Sequence, residues 1–465
     1  MGRNRYLVKN TTMIGAGSII SKLTQFIVLS LCTYSLTTGE FGIADICVST
    51  AALLYPVFSL EISQAVFRFT IDKQDNDKSI ITFSLCVSII GGIIAFMLTP
   101  IMTGIPEVGQ YWIAIALLAV LEAMQLLVKE YTRAKEDGRN YVLGGVINSV
   151  VQISACVMLV YFLKYGAWGY FISLSLGYIG EFIFLAFSMQ IIKNFSVKSI
   201  DSQNVREMLV FSVPLIPNTI MWWIVSISDR YFVLYMIGDS AAGLYSVAAK
   251  IPALITVVTG IFFKAWQMSA IDIEKEDDVS EYSSKVFNYL WVVGGICIVL
   301  VLIFLRVILY VLVAEEFRGA WIYATVLIVS AGFASLQSFI GTAYTVYKDS
   351  IGCLRSTVLM ASMNIVFNYI FIRIWGIQGA AYSTLISYVF VTVYRYIDTR
   401  KYLVLKVDIV RMTLTYILLI ITSLMPLINS TIYYPMAIFV LISLLIINKQ
   451  EVIRLATMVK KLAKR

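Results

Sequence analysis

The chain contains no histidine. Imidazole proton relays, histidine metal sites and histidine-dependent catalysis are therefore excluded. Its six cysteines (Cys32, Cys47, Cys86, Cys156, Cys297 and Cys353) are scattered, mostly in apolar runs, with no Cys-x-x-Cys pair. They read as small packing residues compatible with lipid rather than as a redox or metal centre. Charge is scarce too, at 14% of residues, against about 25% in soluble domains. No Gly-x-x-x-x-Gly-Lys-[Ser/Thr] loop is present, so the chain does not itself hydrolyse ATP through one. Loops are short, leaving no room for a sugar-nucleotide site or a soluble domain. These absences together point away from an enzyme, and no cofactor is expected.

What is abundant is apolar length. Hydrophobic residues make up 59% of the chain and mean hydropathy is +0.84. Apolar stretches near the length needed to cross a bilayer, about 20 residues, recur from Thr11 to Ile447. They number about fourteen: roughly 11–34, 43–66, 79–103, 110–131, 141–163, 168–192, 208–236, 241–263, 286–305, 319–346, 355–373, 378–397, 409–428 and 432–447. The expected fold class is an all-α polytopic membrane protein. The first apolar segment is long and lacks a small-x-small exit, so it reads as the first span rather than a cleavable signal.

The net charge of +8 is concentrated on one side. Of the 36 lysines and arginines, 29 fall in the N-terminal arm, the C-terminal tail or alternate loops. Examples are Arg68/Lys73/Lys78, Lys129/Arg133/Lys135/Arg139 and Arg395/Arg400/Lys401/Lys406/Arg411; the opposite loops hold Lys164, Arg306, Arg318 and Arg373. This asymmetry predicts cytoplasmic termini and argues against a nucleic-acid partner. Ala265–Lys285 reads as a solvated connector. From Asn448 the tail places Val452, Leu455, Val459 and Leu462 on one helical face beside basic residues, a pattern that fits an interfacial helix on anionic lipid.

A repeat is visible. Tyr131-Thr132 and Lys135 precede a span with Asn148 and then Gly166-Ala-Trp-Gly169; Tyr344-Thr345 and Lys348 precede a span with Asn364 and then Gly376-Ile-Gln-Gly379. Gly39-Glu-Phe-Gly42 opens the second span much as Ser240-Ala-Ala-Gly243 opens the eighth. The expectation is a six-helix bundle over 1–206, a second over 207–407, and two added spans with a basic tail over 408–465. Paired bundles are a common transporter plan with the substrate between the halves.

Charges inside spans are costly, about 3 kcal/mol or more at the bilayer centre, and are usually paired or functional. Asp229 and Arg230 are adjacent in the seventh apolar segment, Lys250 lies in the eighth and Lys22 in the first. Adjacent residues on a helix cannot face one way. Two readings stay open: an Asp229–Lys250 ion pair that fixes packing, or Arg230, Lys250 and Lys22 presenting cations to an anionic cargo. Glu61, Gln64 and Arg68 form one helical stripe, and Glu122, Gln125 and Lys129 another, as for residues facing an interior or cavity. Glu61, Glu122, Glu181 and Asp229 are candidates to carry a coupling proton or sodium, with helix packing as the alternative role. Pro214 and Pro217 predict a kink early in the seventh span.

Ser228-Asp-Arg-Tyr-Phe-Val-Leu-Tyr followed by Ala242-Gly-Leu-Tyr-Ser-Val-Ala-Ala-Lys250 resembles the corresponding segment of Wzx-type oligosaccharide flippases, of the multidrug/oligosaccharidyl-lipid/polysaccharide exporter superfamily. Glu40-Phe-Gly, Ser63-Gln-Ala-Val-Phe-Arg68-Phe and Gly376-Ile-Gln-Gly-Ala-Ala-Tyr-Ser-Thr384 are similar to that family's recurring pieces, so the resemblance spans the chain. It implies a V-shaped pair of six-helix bundles and alternating access in the bacterial cytoplasmic membrane. The cargo implied is undecaprenyl-diphosphate-linked oligosaccharide for O-antigen or capsule. A cationic cavity would suit the diphosphate, which assigns Lys22, Arg68, Arg230 and Lys250 to cargo. Membrane lipids, a glycan polymerase and chain-length machinery are the implied partners. Lipid II flippases and drug/cation antiporters of the same superfamily, and a membrane glycan polymerase, are the alternatives.

Overall fold

The computed structural model describes residues 20–72, 76–256, 259, 279–347, 349–428 and 432–454. The expected connector and the amphipathic tail fall mostly outside them. The described residues are nearly all helical and contain no strand. In chain order the principal helices are α1 (20–33), α2 (Thr38–Phe58), α3 (Ile62–Asp72), α4 (Asp77–Leu98), α5 (Trp112–Ala134), α6 (Gly138–Cys156), α7 (Gly166–Ser188), α8 (Ser202–Ser212), α9 (Ile216–Met236), α10 (Asp239–Lys250), α11 (Val279–Leu312), α12 (Trp321–Val346), α13 (Ser350–Trp375), α14 (Ile377–Asp398), α15 (Ile409–Ile428) and α16 (Tyr433–Ile447). Ten helical segments among the described residues are long and apolar enough to cross a membrane, and α16 is a shorter apolar helix. The chain is a multi-pass membrane protein.

It divides into two compact units. The first holds residues up to Trp223 with Gly238–Gly243 and Leu312–Ala314; the second holds Ile224–Ile237, Leu244–Val311 and the chain from Glu315 onward. The division falls within α9, whose first turns belong to one unit and whose remainder to the other.

In the first unit α5 lies against α2, α3, α4 and α7, and α6 runs along α7. Ile62, Val66, Ile80, Leu127, Tyr131 and Leu185 close into one apolar cluster, and Met208 anchors α8 to it. In the second unit α12 is the most enclosed helix and packs on α14 and α15, while α13 runs along α14. The two helix pairs begin with the same turn. Asp137 (φ −83°, ψ 71°) accepts from the Asn140 N–H, and Asp349 (φ −86°, ψ 72°) accepts from the Gly352 N–H. That amide bond, ahead of contacts from Tyr402 and Lys401, holds the Asp349 carboxyl below its usual range. Shared capping chemistry at matched points is what the sequence repeat specifies.

Two breaks shape the first unit. Pro214 sits in a 3₁₀ turn, Val213–Leu215, that separates α8 from α9, as its missing N–H demands. The second was not expected: the apolar segment 43–66 is not one helix. It stops at Phe58, and Leu60 and Glu61 take left-handed φ of 54° and 50°, at a cost of about 1–2 kcal/mol each for residues with a Cβ. The break is held from outside. A Cβ on Gly91 of α4 would run into the Phe58 carbonyl, so α4 passes close to the broken end. Gly91→Ala is expected to lower stability by about 1–3 kcal/mol, measured as a lower Tm in detergent; an unchanged Tm would refute the close approach. Glycine also serves the α2–α10 crossing. The Gly39–Gly42 and Ser240–Gly243 segments, matched in sequence, pack on each other, and a Cβ on Gly243 would meet the Thr38 carbonyl.

Candidate functional site

The two seventh-span charges differ in burial, Asp229 being buried and Arg230 half-buried. Asp229 lies on α9 in the second unit and is buried. Its Oδ1 accepts from Asn368 Nδ2 at 2.6 Å. Its Oδ2 accepts from the Tyr245 hydroxyl at 2.7 Å and from the Thr384 hydroxyl. These donors come from α10, α13 and α14, so three helices converge on one carboxylate. Asn364 and Asn368 are one turn apart on α13, both fully buried, and so face the same way. Asn364 Oδ1 accepts from Ser228 Oγ at 2.9 Å and from Asn368 Nδ2 at 3.1 Å. Asn368 Oδ1 has no hydrogen-bond partner among the described residues.

The carboxylate borders a partly open cavity of about 260 Å³ lined by the second unit, with Ser226, Tyr245, Ser330, Thr384 and Tyr388 among its lining. All three groups bonded to Asp229 are neutral, and no lysine or arginine among the described residues forms an ion pair with it. An Asp229–Lys250 ion pair, one of the two readings left open, is therefore not what satisfies this side chain. A buried charge balanced only by neutral donors keeps its net charge, and low dielectric makes that expensive. The Asp229 carboxylate and the hydroxyls of Ser226, Tyr245, Ser330, Thr384 and Tyr388 along the cavity form an oxygen-rich set suited to a hard monovalent cation.

The remaining candidates lie as follows. Arg230 and Lys250 belong to the second unit and are half-buried. Lys22 and Arg68 belong to the first: Lys22 donates to Gln25 Oε1 at 3.3 Å, and Arg68, exposed, pairs with Asp72 at 3.0 Å. Glu61 is buried at the α2–α3 break and accepts from the Thr219 hydroxyl at 2.6 Å, so it does not share an exposed face with Gln64 and Arg68. Tyr55 is within electrostatic reach of both Glu61 and the half-buried Glu122. Glu181, fully buried, pairs with Lys129 Nζ at 2.9 Å and accepts from Gln125 at 2.7 Å and Asn148 at 3.0 Å. Two members of the Glu122 stripe, Gln125 and Lys129, are thus engaged by Glu181.

Sequence reasoning missed Asn368, Tyr245 and Thr384 as site residues; the Asn364-x-x-x-Asn368 spacing inside an apolar run was the available signal. It also placed Arg395 among the loop cations. Arg395 is instead buried on α14, donating to Gln337 Oε1 at 2.6 Å, Ser356 Oγ at 3.0 Å and Thr357 Oγ1 at 3.2 Å. These acceptors satisfy the guanidinium without a carboxylate.

Residues 7–267 match the family model described as polysaccharide biosynthesis protein. The chain belongs to the polysaccharide biosynthesis protein family. An inward-facing multidrug resistance MATE family transporter of the MOP superfamily is 14% identical, with 85% of this chain and 95% of that chain covered and a TM-score of 0.69. The same comparison with an outward-facing MATE transporter of the MOP superfamily gives 14% identity, 88% and 96% coverage and a TM-score of 0.60. For a MOP superfamily transporter from Pyrococcus furiosus, described as having a binding pocket of reverse polarity, the values are 13%, 88%, 96% and 0.58. No curated protein matches the sequence. This polysaccharide biosynthesis protein therefore has the MOP transporter fold.

Proposed function

We propose that the chain moves undecaprenyl-diphosphate-linked oligosaccharide from the inner to the outer leaflet of the bacterial cytoplasmic membrane by alternating access, driven by a cation gradient acting at Asp229. The family supports a role in surface polysaccharide, and the fold supports transport. The observation that carries the coupling is the buried carboxylate bonded by Tyr245, Asn368 and Thr384 beside a cavity. Three donated hydrogen bonds match an ionised carboxylate, and the surrounding oxygens favour sodium over a proton as the ion. In this reading Lys22, Arg230, Lys250 and Arg68 contact the diphosphate, and Arg230 and Lys250 stand closest in sequence to the coupling carboxylate. The asymmetry of basic loops supports cytoplasmic termini in this reading.

The test is reconstitution with a labelled lipid-linked oligosaccharide and a leaflet-specific probe, under a sodium gradient at equal pH and under a pH gradient without sodium. The expected result is translocation driven by sodium. Arg230→Ala and Lys250→Ala are each expected to lower the rate by about tenfold or more, since a charge-assisted phosphate contact is worth about 1.5–3 kcal/mol, with membrane insertion intact. Translocation indifferent to both gradients would remove the coupling. Extension of the oligosaccharide without movement would identify a polymerase, and export of cationic dyes alone would identify a drug antiporter.

A further inference from the structure

Positive charge is handled differently at the two ends of the second unit. Where α12 ends and α13 begins, cations meet carboxylates: Arg355 pairs with Asp398 at 2.8 Å, Lys401 with Asp349 at 3.3 Å and Arg411 with Asp408 at 3.0 Å. The opposite end, where α11 stops, α12 and α16 start and α13 finishes, carries Arg306, Arg318 and Arg373. Among the described residues none of these three forms an ion pair. Each lies over an aromatic ring instead. The Arg306 guanidinium carbon is 3.8 Å from the Trp321 ring centroid and 5.5 Å from that of Tyr434. Arg318 is 4.2 Å from Tyr310, and Arg373 is 3.9 Å from Tyr369. Glu315 and Glu316, on the turn between α11 and α12, are exposed and pair with neither Arg306 nor Arg318.

Arg306 has the most fully built seat. Tyr433, completely buried, donates to the Leu302 carbonyl at 2.6 Å and so locks α16 onto α11 one turn before Arg306. Trp321 packs edge-on against Tyr433, with centroids 5.6 Å apart. The two rings near the guanidinium are thus held by three helices. Stacking uses the guanidinium face and leaves its in-plane N–H edge for an acceptor. No described residue accepts from the buried Nε. The α12 and α16 N-termini are not capped by a side chain, so their backbone donors add positive potential at the same end. Phe304, Val307 and Val311, on the same helix, are exposed and apolar, which places acyl chains alongside. A cation among lipid chains needs a counter-charge, and no carboxylate among the described residues pairs with Arg306.

We infer that Arg306, held beside Trp321 and Tyr434, binds the phosphoryl headgroup of a membrane lipid. Guanidinium and phosphate match in geometry, two N–H donors to two oxygens. The site stands whether or not the transport reading holds. Two lipids share the chemistry, a phospholipid and a polyprenyl diphosphate.

The full-length protein, stripped of lipid in detergent, is titrated with phosphatidylglycerol, undecaprenyl diphosphate or a neutral glucosyl diacylglycerol, and bound lipid is counted by native mass spectrometry. The phosphate-bearing lipids are expected to be retained and the neutral glycolipid not. Arg306→Gln should weaken retention about tenfold, Arg306→Lys less, and Trp321→Leu should weaken it while leaving every charge in place. Tighter retention of undecaprenyl diphosphate assigns the seat to cargo, and tighter retention of phosphatidylglycerol assigns it to bilayer lipid; both support the site. Equal retention of the neutral glycolipid, or retention unchanged in Arg306→Gln and Trp321→Leu, overturns it. If Arg306→Gln fails to fold, wild-type Tm decides: a rise with phosphate lipids alone supports the site, and equal rises with all three lipids overturn it.

Discussion

Asp229→Asn is expected to abolish gradient-driven translocation while the protein still inserts and folds. The substitution keeps the shape of the side chain and removes its charge. Its amide nitrogen must then face one of the donors now aimed at the carboxylate from Tyr245, Asn368 and Thr384. That mismatch costs about 1–3 kcal/mol of stability, which lowers Tm without unfolding the chain. Loss of the charge removes the main attraction for the cation, about 3 kcal/mol, or roughly a hundredfold in affinity. Rates under a sodium gradient, and sodium-induced changes in Tm, should both fall to the level seen without sodium. Sodium-dependent transport at the wild-type rate in Asp229→Asn would sink the assignment of Asp229.

Lys129→Ala is expected to produce the largest loss of stability in the first unit, about 3–5 kcal/mol. Glu181 is essentially inaccessible, and its ion pair with Lys129 is 2.9 Å long. Removing the ammonium leaves a buried carboxylate with only the Gln125 and Asn148 amides. Replacing both charges, in Lys129→Met/Glu181→Leu, is expected to recover much of the loss, because two ions no longer need desolvation. Denaturation in detergent measures both. A double variant as unstable as Lys129→Ala would mean that the charges do more than neutralise each other. Gradient dependence that disappears in Glu181→Gln but survives in Asp229→Asn would move the coupling site to the first unit.

Much of the architecture was readable because its causes are local. Helix lengths follow from apolar runs, and the turn before α6 and α13 follows from an aspartate shortly after the lysine in each repeat. The Pro214 break follows from a missing backbone donor. The Leu60–Glu61 break did not announce itself, since neither residue prefers left-handed backbone. Thr219 and the passage of Gly91 by the Phe58 carbonyl hold it there. Arg395 looked like one more basic loop residue, because the hydroxyls and amide that satisfy it come from α12 and α13.

The sequence alone determined that this protein lives in a membrane, that short motifs recur along it and that Asp229 is a charge requiring an explanation. Those properties depend on composition, periodicity and spacing along one strand of text. Only the tertiary structure decided which side chains answer that charge. Tyr245, Asn368 and Thr384 are 16, 139 and 155 positions away, and hydrogen bonding depends on distance in space. The same holds for the arginines: Arg355 and Arg306 each follow a leucine within a helix, yet one lands beside a carboxylate and the other beside aromatic rings.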